Sequence, residues 1–452
     1  MNQNQLTRRQ MLQLSAGLGT VSLLAACVAA PAAPAEPAAE GGEEAAPDMA
    51  MTELSLWSMS YPPHDNAWNM LADQYNEAND ERNVTVEPKT DPWTTYASGL
   101  SAGTAGDLLS IHGAAAASFM ATNTLLPLTE TLGGMGTIKD RFFSAVMDYY
   151  TYQGDVYGIP LHNNTPGIGF ITNLDLWQEA GMDPPLTYTH WDDVWQDAKS
   201  LTQTDDDGII NVAGLSMRNY HNIQYLCGAI YEQGATYLDE ETGVWNVNTP
   251  EGIRALTELF HDPIFTHEVD SPDLPAVFNG LAEGRMAMGG IWIDYIPFAA
   301  TAFPEGNFGF TMRPGIDGAD PVVVGEGGWG LNVNAASENP EDALDFIEYL
   351  NDDGVMIQWL QSQHSLPCVF SLLDHEWYSS DEAKFLQPAL ATVQDWVWIG
   401  PVGTKYAMDD VFWPALEELS LGAIGVEDLA ARLDEDLTDR VQRFREDTGY
   451  EW

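Results

Sequence analysis

The run GDVYGIPLHNNTPGIGFITNLDLWQEAG, Gly154 to Gly181, decides the fold. Gly154-Asp155 has the composition of a tight turn, and Val156 to Leu161 that of a short apolar strand. Its ladder pairing ends at Pro160, which has no N–H to donate. His162, Asn163, Asn164 and Thr165 follow, all able to donate or accept hydrogen bonds, where the chain must change direction. Ile168 to Thr172 is a second strand, and Asn173 to Ala180 a short helix stopped by Gly181. A strand, a polar crossing, a strand and a helix take a chain out of one α/β lobe and into another.

Working outward, Thr52 to Met59 is a first strand with Leu54 and Leu56 on one face and Trp57 near its carboxyl end. A helix bearing Ala67, Met70, Leu71, Tyr75 and Ala78, a strand at Val84 to Glu87, a helix at Tyr96 to Ala102 and a strand at Asp107 to Ile111 follow. This alternation defines an open, mainly parallel sheet, whose ligand crevice lies outside the carboxyl ends of its strands. Trp57 and His112 lie at such ends. Beyond the crossing, Trp191, Val194, Trp195, Ala198 and Leu201 form one helical stripe after a capping Thr189, which assigns both tryptophans to packing. Asp205-Asp206-Asp207-Gly208 has part of a calcium-loop pattern, but Gln203 stands where an aspartate is needed and no glutamate closes it, so it is a solvated turn. Arg285 to Trp292 is a strand opened at its end by Gly289-Gly290, and Phe308 to Met312, Val322 to Val324 and Leu331 to Val333 are further strands. Gly325 to Gly330, with Glu326 and Trp329, is a second crossing. The C-terminal part is helical at Phe385 to Trp396, Met408 to Leu419 and Val426 to Phe444.

The order around the opening stretch is aromatic, glycine, aliphatic, proline, polar patch, strand, Asn173, short helix, Ala180-Gly181, proline, threonine, Trp191-Asp192. It resembles the extracellular solute-binding proteins of ABC importers, and most nearly their carbohydrate-binding, maltodextrin-binding group. The resemblance covers Thr52 to Phe444 and includes Gly284-Arg285-Met286-Ala287-Met288. It implies an α/β fold of two lobes, each a mainly parallel sheet flanked by helices, with a hinge and a ligand cleft between them. One lobe would be residues 52–161 with 330–372, the other 162–329 with 373–452. It also implies that Trp292, after Gly290-Ile291, and Trp413, in Val411-Phe412-Trp413, stack on a sugar, with core packing a second reading of Trp413. Tyr220, in Arg218-Asn219-Tyr220, lines the same site, although Arg218 replaces a family acid and Asn164 a second one. Asn163, Asn164, Asp294 and His112 would bind hydroxyls; Trp57, His112, Glu326 and Trp329 are placed by topology alone. The implied partners are a small solute and the permease subunits of the importer, with the protein itself a monomer.

The N-terminus stands outside this fold. Thr7-Arg8-Arg9-Gln10-Met11-Leu12 has the paired arginines of a twin-arginine export signal, and Leu14 to Ala26 is an apolar run short of a good membrane span. Leu24-Ala25-Ala26-Cys27 resembles a lipobox, which implies a signal peptide of residues 1–26 and a lipid on Cys27; an ordinary secretory signal is the other reading. Residues 27–50, rich in Ala, Pro, Gly and Glu, cannot bury apolar surface and form a tether. The protein would then be held at the outer face of a membrane by its lipid. Cys227 and Cys368 lie in apolar surroundings as free thiols or as a disulfide.

Of 452 residues, 68 are acidic and 17 basic, for a formal charge of −51, and only five of the basic residues are lysine. Nucleic acid and anionic membrane surfaces are poor partners for such a chain. Lysine scarcity suggests adaptation to a saline exterior; attraction of a cationic solute is the alternative. Sugars present apolar C–H faces that pack on aromatic rings and hydroxyls that need hydrogen-bond partners, and 15 tryptophans and 17 tyrosines supply rings in plenty. No nucleophile elbow, metalloprotease helix, phosphate loop or zinc spacing is present in the sequence, so no cofactor, metal site or catalytic residue is assigned. The expected function is capture of a sugar or oligosaccharide, with a polyamine or quaternary ammonium solute as the alternative and a carbohydrate-active enzyme behind both.

Overall fold

The computed structural model of the chain describes residues 51–163, 166–318, 320–325, 327–400 and 407–450. The export signal, Cys27, the tether, Asn164 and Glu326 lie outside the described residues. Strand β1 (Thr52–Met59) buries Leu54, Leu56 and Ser58 on one face and turns Trp57 to the other. Helix α1 (Pro62–Glu77) opens on two prolines, which lack the N–H groups that a first turn leaves unused. It buries Ala67, Trp68, Leu71, Ala72 and Tyr75 on one stripe. Strand β2 (Arg82–Lys89) and helix α2 (Pro92–Ala102) follow. The carboxylate of Asp91 accepts the Thr94 N–H at the start of α2, and Gly103 ends it at φ 66°. Next come β3 (Leu108–His112), β4 (Ile159–Pro160), β5 (Gly169–Asn173), β6 (Met288–Gly290), helix α3 (Tyr295–Ala302), β7 (Phe308–Met312), β8 (Trp329–Val333) and helix α4 (Asp353–Gln363).

The stretch that decides the fold forms as a hairpin and a crossing. Gln153 and Gly154 have φ of 50° and 89°, the paired positive values of a tight hairpin turn, one residue earlier than the sequence suggested. The expected strand Val156 to Leu161 is broken into Asp155–Val156 and β4. Pro160 falls on β4, the edge strand of its sheet, where a missing N–H costs no ladder bond. Asn173 then caps the helix Leu174–Glu179, its side chain accepting from the N–H groups of Asp175 and Leu176.

Two sheets result. The first has the order β2-β1-β3-β8-β4, with β1 parallel to β2 and β3 and β8 antiparallel to both its neighbours. The second has the order β6-β5-β7, and both of its ladders are antiparallel, which corrects the expectation of a mainly parallel sheet there. Parallel pairing is confined to its rims, at Ala213 with Met286, Ser216 with Gly289 and Thr187 with Met312. The reason is physical: every residue of β5 is buried, and a strand covered on both faces shows the same unbroken apolar run whichever way its neighbours point. Between the sheets, the chain also passes through Val324–Gly325, which pairs in parallel with Val397–Trp398.

One core runs from Leu54, Trp68 and Leu331 through Ile171, Ile291 and Tyr295, and a second surrounds Trp177, Leu226, Trp245 and Phe412. Cys368 belongs to the first and Cys227 to the second, and both are free, buried thiols. All five residues of the Trp191–Leu201 stripe are buried, although the helix begins after His190, with no side-chain cap from Thr189. The Asp205 carboxylate accepts the N–H groups of Asp207 and Ile209, as a solvated turn requires. Phe385 to Trp396 is broken into short helical turns rather than one helix.

Candidate functional site

Three rings gather at the ends of the first sheet. His112 closes β3 and Trp329 opens β8, and the two are register partners, which sets their rings edge to face at 5.3 Å. Trp93, in the first turn of α2, stacks on Trp329 at 5.7 Å and 28°. Trp93 and His112 are half-buried. Behind them His162 is fully buried. The Trp329 N–H lies 3.1 Å from its Nε2, and the indole N–H of Trp359, on α4, lies 3.0 Å from its Nδ1. Burial pulls its pKa down to about 3, against a partial opposing pull from Asp294, so the ring is neutral. A neutral imidazole has one acceptor nitrogen, so only one of those two N–H groups meets a lone pair. Gly328 makes this packing possible, since a Cβ there would sit 1.9 Å from His162 Cδ2.

The second sheet carries a second aromatic cluster. Trp292 follows β6, and His221 meets it edge to face at 4.8 Å, with the Tyr220 ring 4.3 Å beyond. The short helical turn Tyr220–Asn222 is fixed to β6 by Asn222, whose amide donates to Met217 O at 2.8 Å and Gly290 O at 3.1 Å. Gly290 permits that approach, because a Cβ would stand 3.0 Å from the Asn222 amide nitrogen. Tyr220, His221 and Trp292 are all half-buried, and Phe278 and Tyr295 back the Trp292 ring.

The two clusters meet at Tyr61, His64 and Asp294. The Tyr61 hydroxyl donates to Asp294 O at 3.1 Å, and its ring stacks on Phe298 at 5.3 Å and 17°. His64 Nε2 lies 3.4 Å from Asp294 Oδ2, and the His64 ring touches Trp329 and Trp359, each at 5.4 Å. Tyr61, His64 and Asp294 are 8%, 1% and 3% exposed, so water is excluded at this junction. Burial, with the charge of Asp294 second, pushes the Tyr61 phenol well above its usual range.

Of the residues singled out from the sequence, the structure brings His112 and Trp329 together in one cluster and Tyr220 and Trp292 in the other, with Asp294 at the junction. Trp57 is placed elsewhere, against Tyr96 at 6.2 Å with the Lys89 ammonium 4.1 Å over its ring. Gly99 and Gly106 close on that ring, so Trp57 is held as packing under α2. Asn163 is buried in the crossing itself, where its backbone N–H donates to Leu366 O at 2.9 Å. Its side-chain amide nitrogen lacks a partner among the described residues. Trp413 lies half-buried against the second core, next to the helical turn Ala407–Phe412 that packs on Tyr220–Asn222. Arg218 is spent on a buried pair with Asp270, at 3.0 Å, and on the carbonyls of Ser271 and Leu274, so it is structural.

Tyr61, His64, Trp93, His162, His221 and Trp359 join this candidate site, although the sequence did not single them out as ligand-binding. For three of them the available signal is position: Tyr61, His64 and Trp93 lie just past strand ends, in or before the first turn of a proline-opened helix. A surface recess of about 360 Å³, lined by Asp183, Tyr188, Asp193 and Asp197 among others, shares none of these residues.

The arrangement is that of a two-lobed binding protein of the periplasmic type. Residues 70–386 match the bacterial extracellular solute-binding protein family, and the chain belongs to that family. It is 24% identical over 314 residues to an arabinooligosaccharide-binding protein of Halalkalibacterium halodurans, covering 66% of this chain and 67% of that protein. It is 21% identical over 334 residues to an sn-glycerol-3-phosphate-binding periplasmic protein of Yersinia enterocolitica, covering 71% and 74%. The fold is similar to that of an ABC transporter solute-binding protein from Thermotoga lettingae bound with α-D-tagatose, at a TM-score of 0.70 and 20% identity, over 86% of this chain and 100% of that one.

Proposed function

We propose that the protein captures a sugar or oligosaccharide between its two lobes and delivers it to an ABC-type permease. The observation that carries this reading is the pair of aromatic clusters, half-buried Trp93 and His112 on buried Trp329 in one and half-buried Tyr220, His221 and Trp292 in the other. Rings suit the C–H faces of a sugar, and the imidazoles beside them can donate to or accept from its hydroxyls. Each lobe supplies half of the contacts, so solute favours the closed form by its differential affinity for it. Hinge closure in periplasmic binding proteins is a known example of such a motion. The lobes are 52–161 with 330–372 and 162–329 with 373–452, and a lipid on Cys27 holds the body at the outer face of the membrane. The sugar ligands named for two of the relatives support the solute class.

A cationic solute is the second reading, favoured by the formal charge of −51 and by the same aromatic clusters. A phosphate ester, the solute named for the Yersinia relative, finds no arginine or lysine among the cleft residues described above. Thermal-shift screening of sugars, polyols and polyamines, followed by calorimetry at low and high salt, tests the proposal. A neutral sugar should bind with an affinity that barely responds to salt, whereas a cation should be released as salt rises. Stabilisation by polyamines alone would replace the sugar reading. Product formation on incubation with oligosaccharides would end the binding-only reading.

A further inference from the structure

Strand β7 of the second sheet ends at Met312, and the next residue, Arg313, buries its side chain. That side chain and the one of Glu232, which ends the helix Ile223–Glu232, are 2% and 1% exposed and pair at 2.7 Å. A guanidinium this deep needs acceptors for its N–H groups, and Arg313 has them. Nε donates to Gly167 O at 2.8 Å, Nη1 to Pro314 O at 3.0 Å and Nη2 to Val322 O at 3.0 Å. Gly167 stands at the second-lobe end of the first crossing, and Val322 at that of the second. One planar fork therefore holds a carbonyl of each. Glu232 completes the arrangement, since its carboxylate accepts the N–H groups of Ile316 and Val322 at 2.7 Å and 2.9 Å.

The packing around this pair is close. A Cβ at Gly228, on the same helix, would stand 2.4 Å from Val322 O and 3.0 Å from Arg313 Nη2. A Cβ at Gly167 would stand 3.2 Å from Val324 O, so the two crossings lie against each other here. The Arg313 N–H donates to Ile168 O at 3.1 Å, and the Tyr225 hydroxyl donates to Gly169 O. A buried ion pair is a weak source of stability, because desolvation of two charges offsets much of their attraction. Its role here is geometric. The first crossing leaves the first sheet next to His162 and the second returns to it at Trp329, so the seating of both on the second lobe fixes how the Trp329 and Trp292 clusters are presented to each other.

We propose that Arg313, braced by Glu232, is a positioning residue for solute binding: it joins both crossings to the second lobe, so that the lobes close along one path. This rests on the two-lobed capture reading above. With both carbonyls on one side chain the crossings shift together, and the bending of closure falls outside the clasp. None of the Arg313 contacts named above is with either aromatic cluster, so its effect on affinity passes through the crossings.

The test is Arg313→Lys, which keeps a charge opposite Glu232 but offers one nitrogen where Nε and Nη2 serve two crossings. In the full chain with Cys27→Ser, spin labels at Ser98→Cys, exposed on α2, and at Ser200→Cys, exposed on the helix Trp191–Leu201, report the interlobe distance by double electron–electron resonance. The solute-free distance distribution should be about twice as broad with Arg313→Lys as with Arg313. Maltotriose or arabinotriose, whichever the wild type binds by calorimetry, should bind the variant about tenfold more weakly, as a smaller closure-competent fraction requires. A folded variant with unchanged distances and affinity overturns the proposal, even if its melting temperature falls, since a merely structural pair would do only that. Should the variant not fold, hydrogen exchange in wild type decides. The amides of Ile316 and Val322 should exchange as slowly as those of the helix Ile223–Glu232, and exchange at the rate of an open loop overturns the clasp. Should neither sugar bind wild type, that counts against the sugar reading alone, while the label distances still decide for or against Arg313.

Discussion

Trp292 carries the clearest prediction at the level of single residues. It is half-buried and backed by Phe278 and Tyr295, so its ring adds to a surface already packed from behind. Trp292→Ala should weaken solute binding by about 1–3 kcal/mol while the melting transition is largely kept, and calorimetry beside a thermal melt checks both. His162 makes a prediction about acid. Its folded-state pKa of about 3 lies below that of a free histidine, so its contribution to stability is fully present above the free value and is lost as pH falls towards and through about 3. The slope from this one proton is at most about 1.4 kcal/mol per pH unit. Urea unfolding from neutral pH down to mild acid should therefore show a shallower decline in His162→Gln than in wild type, and equal slopes would refute the assignment. The placement of Trp292 just past its strand was legible because two glycines mark the end of that strand. Tyr61 and His64 were not, because the rule that ligands sit at strand ends pointed to Trp57, whose alternation along β1 turns it under α2 instead. Which of two neighbouring aromatics faces a cleft depends on that alternation and on what covers each face.

Among the elements, the crossings show how far a local pattern reaches. The polar run after Pro160 and the asparagine-capped helix after β5 were legible, since a donor-less residue and a side-chain cap act over a few residues. The sense of the second sheet was not, because its three strands come from distant parts of the chain and are buried on both faces. Gly328 tests the packing of the second crossing. A methyl group there would stand 1.9 Å from the His162 ring, which is fixed between Trp329 and Trp359. Gly328→Ala should cost about 1–3 kcal/mol or more, read as a lowered melting temperature, and should disturb Trp329 as well as stability. A silent substitution would mean that the His162 ring is free to move.

For the molecule as a whole, charge sets the conditions under which the fold is stable. Many of its few cations are already matched: Arg82 with Asp342, Arg141 with Asp353, Arg254 with Asp317, Arg313 with Glu232 and Arg432 with Glu418. The remaining acids repel one another across the surface, and dissolved ions weaken that repulsion. The melting temperature should therefore rise between low and molar KCl, and a flat or falling series would remove salt adaptation as the reason for the composition. The charge was legible from composition alone and the burial of both cysteines as free thiols from their apolar neighbours, whereas their placement in separate cores was not. Cys227 and Cys368 are both buried, burial pushes the Cys368 thiol up to about 12, and each belongs to a different core. A labelling reagent must wait for the surrounding side chains to part before it reaches either atom. The chain thus carries two internal clocks, one per core, and comparing their rates by peptide mapping tells whether the two cores open as one or in turn.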